Sequence, residues 1–192
     1  MSAHAMTAES PTIPLLARPF YFLRHGETES NAAGTIAGSI DVPLTERGHA
    51  QARAAAAALE NCGITVIYSS ALRRARDTAD YIAGMLRLPV SIVPELAERH
   101  WGVLEGKPRE LRVPGITPPA AETPEEFTAR VFRGLAKIKP EDLPLIVSHS
   151  GVFRVLCRTL GIAEPVEQVA NARPVRCRPP DAQHPRWRFE VL

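Results

Sequence analysis

Two short polar clusters each place a histidine directly after an apolar run. Arg24-His25-Gly26-Glu27-Thr28 follows Phe20-Tyr21-Phe22-Leu23, and Ser148-His149-Ser150-Gly151 follows Leu145-Ile146-Val147. A neutral imidazole is a nucleophile, and a protonated one is a cation with two N–H donors. Two histidines brought into one pocket therefore divide nucleophilic attack from charge stabilisation. The guanidinium of Arg24 beside one of them points to an oxyanion substrate. Taken singly, a histidine reads as a surface or hydrogen-bonded structural residue, and His4, His49, His100 and His184 keep that reading.

The elements that would bring the two clusters together can be read from periodicity and punctuation. Phe20–Leu23 reads as a buried strand emptying into a loop at the turn glycine Gly26. After Pro43, Thr45 opens a helix expected to run through the Ala54–Ala58 block to Cys62, where Gly63 stops it. Ile64–Tyr68 reads as a second strand, Ala71–Leu86 as a helix, and Val90–Val93 as a strand released by Pro89. Thr123-Pro124-Glu125-Glu126 is a capping-box signature, and Phe127, Val131, Leu135 and Ile138 supply the apolar stripe of a helix ending near Lys139-Pro140. Leu145–Val147 is a buried strand, and Val152–Leu160 a helix closed by Gly161. The repeating unit is strand, polar loop, helix. It predicts an α/β domain: a three-layer sandwich with a mostly parallel sheet and helices on both faces. Ligands of such sheets sit beyond the carboxyl ends of the strands, where both histidine clusters fall. Pro174–Cys177 and Trp187–Val191 are expected as short edge strands. Residues 107–122, with Pro108, Pro114, Pro118 and Pro119, read as a surface excursion or lid.

Bulk properties narrow the field. A chain of 192 residues, 45% hydrophobic and 23% charged, is one ordinary globular domain, here placed at 19–192 behind a flexible leader, 1–18. A net charge of only +2 supplies no global field for wrapping nucleic acid or coating an anionic membrane, so neither is an expected partner. No stretch approaches a membrane span of roughly 18 apolar residues, and the first residues lack a signal-peptide pattern. Three cysteines without CxxC spacing fit a reducing, cytoplasmic setting better than a disulfide framework. A second copy of the chain is a permitted partner, and nothing in the sequence decides between monomer and homodimer.

Leu23-Arg24-His25-Gly26-Glu27-Thr28 resembles the signature of the histidine phosphatase superfamily, the phosphoglycerate mutase-like proteins. Further blocks follow in the family's order: Asn31, Gly38, Asp41–Thr45, Gly48 and Gln51-Ala52, then Ser69–Ala79, then Glu98–Gly102 with Glu105-Gly106, then Val147–Gly151. The resemblance covers Phe20 to Leu192 and implies a phosphoglycerate mutase-like fold. It makes His25 the nucleophile that becomes a phosphohistidine, surrounds the phosphoryl group with Arg24, Arg74 and His149, and makes Glu98 the proton donor. Asn31, Thr28, Gly38, Arg99 and Ser150 are then the substrate- and phosphate-binding residues, with Thr28 acting by ordering its loop. Two guanidiniums and a protonated histidine neutralise a dianionic phosphoryl group without a metal, so no metal or cofactor is expected. Adjacent arginines on a helix point about 100° apart, so only one of Arg73 and Arg74 can enter a pocket. Alignment of Leu72 and Ala75 with the family pattern selects Arg74, leaving Arg73 and Arg76 to solvent. For Glu98, an ion pair with Arg99 is the competing reading, and Trp101 is either a pocket wall or packing.

Two departures bear on substrate choice. Where many phosphatases of the family carry arginine and glutamine, this chain reads Gly34-Thr35-Ile36-Ala37-Gly38. The long basic insertion of the family's mutases is replaced by the 16 residues between Gly106 and Thr123, which favours a phosphatase of small phosphomonoesters over a mutase. Lys107, Arg109 and Arg112 in this segment read as solvated loop charges, with contact to a carboxylate or second phosphate as the alternative. A phosphoglycerate mutase-type transferase and a non-catalytic phospholigand-binding module remain as other readings. The latter would be expected to lack His25, Arg74, Glu98 or His149, and all four are present.

Overall fold

The computed structural model describes residues 13–139, 142–162 and 169–192. Six strands form one sheet: β1 (Phe20–Arg24), β2 (Val66–Ser69), β3 (Val90–Ile92), β4 (Pro144–Ser148), β5 (Val175–Arg178) and β6 (Arg188–Val191). Their order is β3-β2-β4-β1-β5-β6, parallel across the first four and antiparallel across the last two junctions. The α-helices are α1 (Glu29–Ala32), α2 (Glu46–Leu59), α3 (Arg73–Leu86), α4 (Pro124–Leu135) and α5 (Ser150–Thr159). This is the expected mostly parallel three-layer sandwich.

Strand alternation sorts the core into two layers. Phe20 and Phe22 of β1, with Ile146 of β4, face Phe127, Val131 and Leu135 of α4 and Val152 and Leu156 of α5. Tyr21 and Leu23, with Leu145 and Val147, face Ala55, Ala56 and Leu59 of α2 and Ala75, Ala79 and Ile82 of α3. The alanine-rich stretch of α2 is thus a close-packing face, in which Ala52, Ala55 and Ala56 are almost fully buried. Among the described residues, no helix is long and apolar enough to cross a membrane.

The structure corrects three expectations. The supposed leader does not remain loose up to residue 18: Pro14–Ala17 form a 3-10 turn, with proline at its first position, and Leu15 is 1% exposed within the core layer that contains Phe20. Burial of Ile13 and Leu15 is the physical reason. Residues 1–12 lie outside the described residues, and with them His4. Of the two supposed edge strands only β6 lies at an edge, because β5 pairs with β1 on one side and β6 on the other. Finally, α4 ends at Leu135 rather than Lys139, although Ile138 beyond it is still buried.

Candidate active site

The central pair β1 and β4 sets the site. Arg24 is in register with Ser148, and the His25 amide continues the ladder by donating to the Ser148 carbonyl at 3.0 Å. Each histidine therefore leaves the sheet at the same level, and their ring centroids stand 5.1 Å apart. The next residue on β1's exit must be small. A Cβ on Gly26 would lie 2.5 Å from the carbonyl oxygen of Gly48 at the start of α2, so only glycine lets these backbones meet.

His25 is 5% exposed, and its Nδ1 lies 2.7 Å from the Gly26 carbonyl oxygen. A carbonyl only accepts, so Nδ1 carries the proton and Nε2 keeps its lone pair. No described residue hydrogen-bonds Nε2, and His25 lines a 220 Å³ cavity together with Arg24, Asn31, Gly38, Arg74, Glu98 and Ser150. Burial first, then the guanidiniums of Arg74 and Arg24, holds the His25 imidazole well below its usual range, against a smaller opposite pull from the Gly26 carbonyl. His149 is fully buried behind this cavity, with Nε2 2.8 Å from the Ser70 hydroxyl. Burial, then Arg74, His25 and Arg24, lowers it in the same way. Both shifts favour the neutral imidazole at neutral pH.

Around them are buried nitrogens with no hydrogen-bond partner among the described residues: Nε of Arg24, Nε of Arg74 and Nδ1 of His149. Arg74 is 1% exposed, and its two terminal nitrogens donate to the Gly38 carbonyl at 2.7 Å and the Ile40 carbonyl at 2.8 Å. Arg73 instead points outward and pairs with Asp77 at 3.3 Å. Burial lowers Arg24 to about 10, with Arg109, Arg154 and Arg74 acting in the same direction and Glu98 opposing. Such a collection of cations and unpaired donors is suited to a dianion.

Glu98 is not ion-paired with the neighbouring guanidinium. Its carboxylate accepts from the backbone amides of Arg99 at 2.8 Å and Gly151 at 3.0 Å, and from the Ser150 hydroxyl at 3.4 Å. Ser150 therefore stands beside both the carboxylate and the cavity. Trp101 walls the cavity.

The expected binding residues take different places in the structure. Thr28 does not line the cavity; fully buried, it caps α1 by accepting from the Asn31 amide at 3.3 Å, so its place is in loop order alone. Gly38 lines the cavity, and its carbonyl orients Arg74. Arg99 stays out of the phosphate-sized cavity: it donates to the Glu122 carbonyl at 2.8 Å, stacks 4.4 Å from the Trp101 ring centre and lines a neighbouring 520 Å³ cavity. Asn31 does face the site. Its Oδ1 accepts from the Thr28 amide and from Asn171 Nδ2, which leaves its own amide N–H groups to a ligand.

The sequence model of the histidine phosphatase superfamily (branch 1) matches residues 20–174. The chain belongs to this superfamily. It is 35% identical to the uncharacterized phosphatase PhoE of Bacillus subtilis over 149 residues, covering 74% of this chain and 77% of PhoE. To the probable phosphoglycerate mutase GpmB of Photorhabdus laumondii it is 34% identical over 185 residues, covering 87% of this chain and 86% of GpmB. Among solved structures it superposes on a mycobacterial glucosyl-3-phosphoglycerate phosphatase in complex with VO3, with TM-score 0.72, 26% identity and coverage of 91% of this chain and 97% of that one. A protein from Thermus thermophilus, TTHB049, matches with TM-score 0.69, 34% identity and coverage of 91% and 96%.

In this member of the superfamily, Arg154, Asn171, Thr78 and Arg130 are site or supporting residues that escaped the sequence reading. Arg109 and Arg112 are not simply solvated loop charges, since both line the 220 Å³ cavity. They are brought there because Ile36 and Gly34 exchange backbone hydrogen bonds with Gly106, Lys107 and Arg109. Arg154 joins them from α5; its spacing of four from Ser150 was the available signal. Asn171 donates to the His25 carbonyl at 2.9 Å and to Asn31, and Thr78 accepts from the Gly26 amide at 3.0 Å. Arg130 of α4 supports the Glu98 segment. Its five N–H groups reach the carbonyls of Glu95, Ala97 and Glu98 and both carboxylate oxygens of Glu122. The remaining histidines keep structural partners: His49 meets the Tyr81 hydroxyl at 3.2 Å, His184 meets Asp181 at 3.1 Å, and His100 lies 3.9 Å from Glu105.

Proposed function

We propose that this chain is a metal-independent phosphomonoesterase that hydrolyses a small phosphorylated metabolite through a phosphohistidine at His25. The observation that carries the reading is the His25 tautomer: with Nδ1 held by the Gly26 carbonyl at 2.7 Å, the lone pair on Nε2 is the one available to the cavity. In the first step Nε2 attacks phosphorus, the P–O ester bond breaks, and Glu98 gives its proton to the leaving alkoxide. Water then attacks the phosphohistidine, Glu98 takes the water proton, the N–P bond breaks and inorganic phosphate departs. Arg24, Arg74 and His149 stabilise the charge spread over the equatorial oxygens. Asn31 adds an amide donor, and Gly38 fixes Arg74. The dianion favours protonation of His149, which then donates from both ring nitrogens.

Kinship with both phosphatases and a probable mutase makes the acceptor the point at issue. With water as acceptor, supplying 3-phosphoglycerate and catalytic 2,3-bisphosphoglycerate releases free phosphate; rapid isomerisation to 2-phosphoglycerate without release overturns the hydrolase reading. The covalent step is tested by rapid quench with 32P-labelled substrate. An acid-labile, base-stable label is expected on the native protein and none on His25→Ala, and full turnover by that variant overturns the mechanism. The alternative of a silent phospholigand-binding module predicts binding without label in either protein. A reducing cytoplasm is the setting that the cysteine content supports.

A further inference from the structure

The 220 Å³ cavity around His25 adjoins the 520 Å³ cavity, and the two share Glu98, Trp101, Arg109, Arg112, Ser150 and Arg154 in their walls. The larger space lies on the side of Glu98, where a leaving group must emerge if Glu98 is to protonate its oxygen. Its size falls within the roughly 300–1,000 Å³ of ordinary small-molecule sites. Its composition is unbalanced. Arg109, Arg112, Arg154 and Arg158 all line it, and none forms an ion pair with a described residue. Among the described residues, the only carboxylate in its wall is Glu98, whose oxygens already accept from Arg99, Ser150 and Gly151.

These cations are surplus to phosphoryl binding, for which Arg24, Arg74 and His149 suffice. They also repel one another: Arg112 is lowered by burial and then by Arg154 and Arg109. Two of them are held in place. Arg112 stacks 4.8 Å from the centre of the Trp101 ring, and Arg109 donates to the Thr35 carbonyl at 3.2 Å. Beyond them Val113, Ile116 and Phe127 provide an apolar wall.

Building on the phosphomonoesterase reading, we infer that the leaving group carries its own anionic group, a carboxylate or a second phosphate, bound by Arg112 and Arg154 with Arg109 at the junction of the two cavities. The substrate class is a phosphomonoester of an acidic alcohol, with an apolar segment of the alcohol against Val113 and Ile116. Neutral phosphomonoesters of equal length use the phosphoryl site and leave these arginines unpaired.

Binding and turnover test this separately. Calorimetry with the non-hydrolysable pair 5-phosphonopentanoate and 5-phosphonopentanamide is expected to show tighter binding of the acid by about tenfold or more, as for a charge-assisted contact. Pentane-1,5-diphosphonate replaces the acid in a third arm, and whichever dianion or monoanion binds more tightly identifies the substituent. Arg112→Ala and Arg154→Ala are each expected to reduce the preference for the acid over the amide, and the double variant to erase it. Equal binding of acid and amide by the native protein, or a preference that survives the double variant, overturns the inference. A preference for the acid in binding, together with no phosphate release from p-nitrophenyl phosphate, would instead count against the phosphatase reading and leave this subsite standing.

Discussion

The Gly151 amide holds one oxygen of the Glu98 carboxylate at 3.0 Å, while the other oxygen lies 2.0 Å from the place a Cβ on residue 151 would occupy. The carboxylate thus fills the volume that a side chain at Gly151 would take. Gly151→Ala is expected to displace Glu98, the flexible partner, rather than the start of α5. Loss of a general acid costs roughly 10²–10⁴ in rate. The loss should appear in kcat for alkyl phosphates and be much smaller for p-nitrophenyl phosphate, whose leaving group needs no proton. Equal losses for both substrates would show that Glu98 does not act on the leaving group.

Arg74 and Arg73 are adjacent in sequence and opposite in environment. Arg74→Ala is expected to lower kcat/KM by about 2.7–4 kcal/mol of transition-state stabilisation, by analogy with a lost oxyanion donor. Arg73→Ala, which removes an exposed pair with Asp77, is expected to change stability by less than about 0.5 kcal/mol and leave kinetics alone. Arg74→Lys should not rescue, because one ammonium cannot reproduce the fork that grips both Gly38 and Ile40. Steady-state kinetics on the three variants decides.

Burial and the neighbouring guanidiniums lower both His25 and His149 in the folded empty site. The unfolded chain takes up protons at these positions near pH 6.5, the folded chain only at lower pH. Stability contributed by their neutral forms is therefore present above about pH 6.5 and is lost as pH falls through the lowered folded-state values. Thermal melts should show Tm declining from pH 7 to 5.5. Saturating phosphate or vanadate should flatten that decline, because a bound dianion favours the protonated rings. An empty-site Tm that rises over this interval would contradict the assignment.

Arg130 lies outside the reacting groups yet uses all five of its donors on the segment leading to Glu98 and on Glu122. Arg130→Met keeps much of the side-chain volume, removes the guanidinium from three carbonyls, and leaves the mostly buried Glu122 carboxylate with only the His100 amide as donor among the described residues. A loss of roughly 3 kcal/mol in denaturant unfolding is expected, together with a fall in kcat from a less ordered Glu98. Unchanged stability would mean that water replaces the guanidinium at little cost.

The parts of this molecule that could be read from sequence are those written in local periodicity. The run Phe20–Leu23 ending at Arg24 announced a buried strand and its polar exit, and Thr123-Pro124 with Glu126 announced the start of α4, capping box included. Arg74 was separated from Arg73 by helical geometry combined with the family pattern. The illegible parts depend on which segments meet. Nothing local in Arg109 or Arg112 tells that Gly34 and Ile36 will tether their segment beside His25, or that Arg154 will approach from another helix. Asn171 sits in no periodic element, so its reach back to Asn31 had no sequence signal. The interior place of β5 was missed because short alternating strands do not reveal their neighbours.

Because Arg24 and Ser148 are ladder partners, the separation of the two imidazoles is fixed by the roughly 4.8 Å pitch between adjacent strands rather than by any loop. Backbone hydrogen bonding is indifferent to side-chain identity, so this distance is insulated from mutation in a way that the surrounding surface is not. The arginines at the mouth, by contrast, ride on a proline-rich segment and on a helix face, where single substitutions alter charge without touching the ladder. Inheritance and innovation are thereby assigned to different parts of the chain. On the proposed function, a lineage can change the alcohol it recognises through residues 109–117 and 154 while the phosphoryl chemistry is handed down untouched.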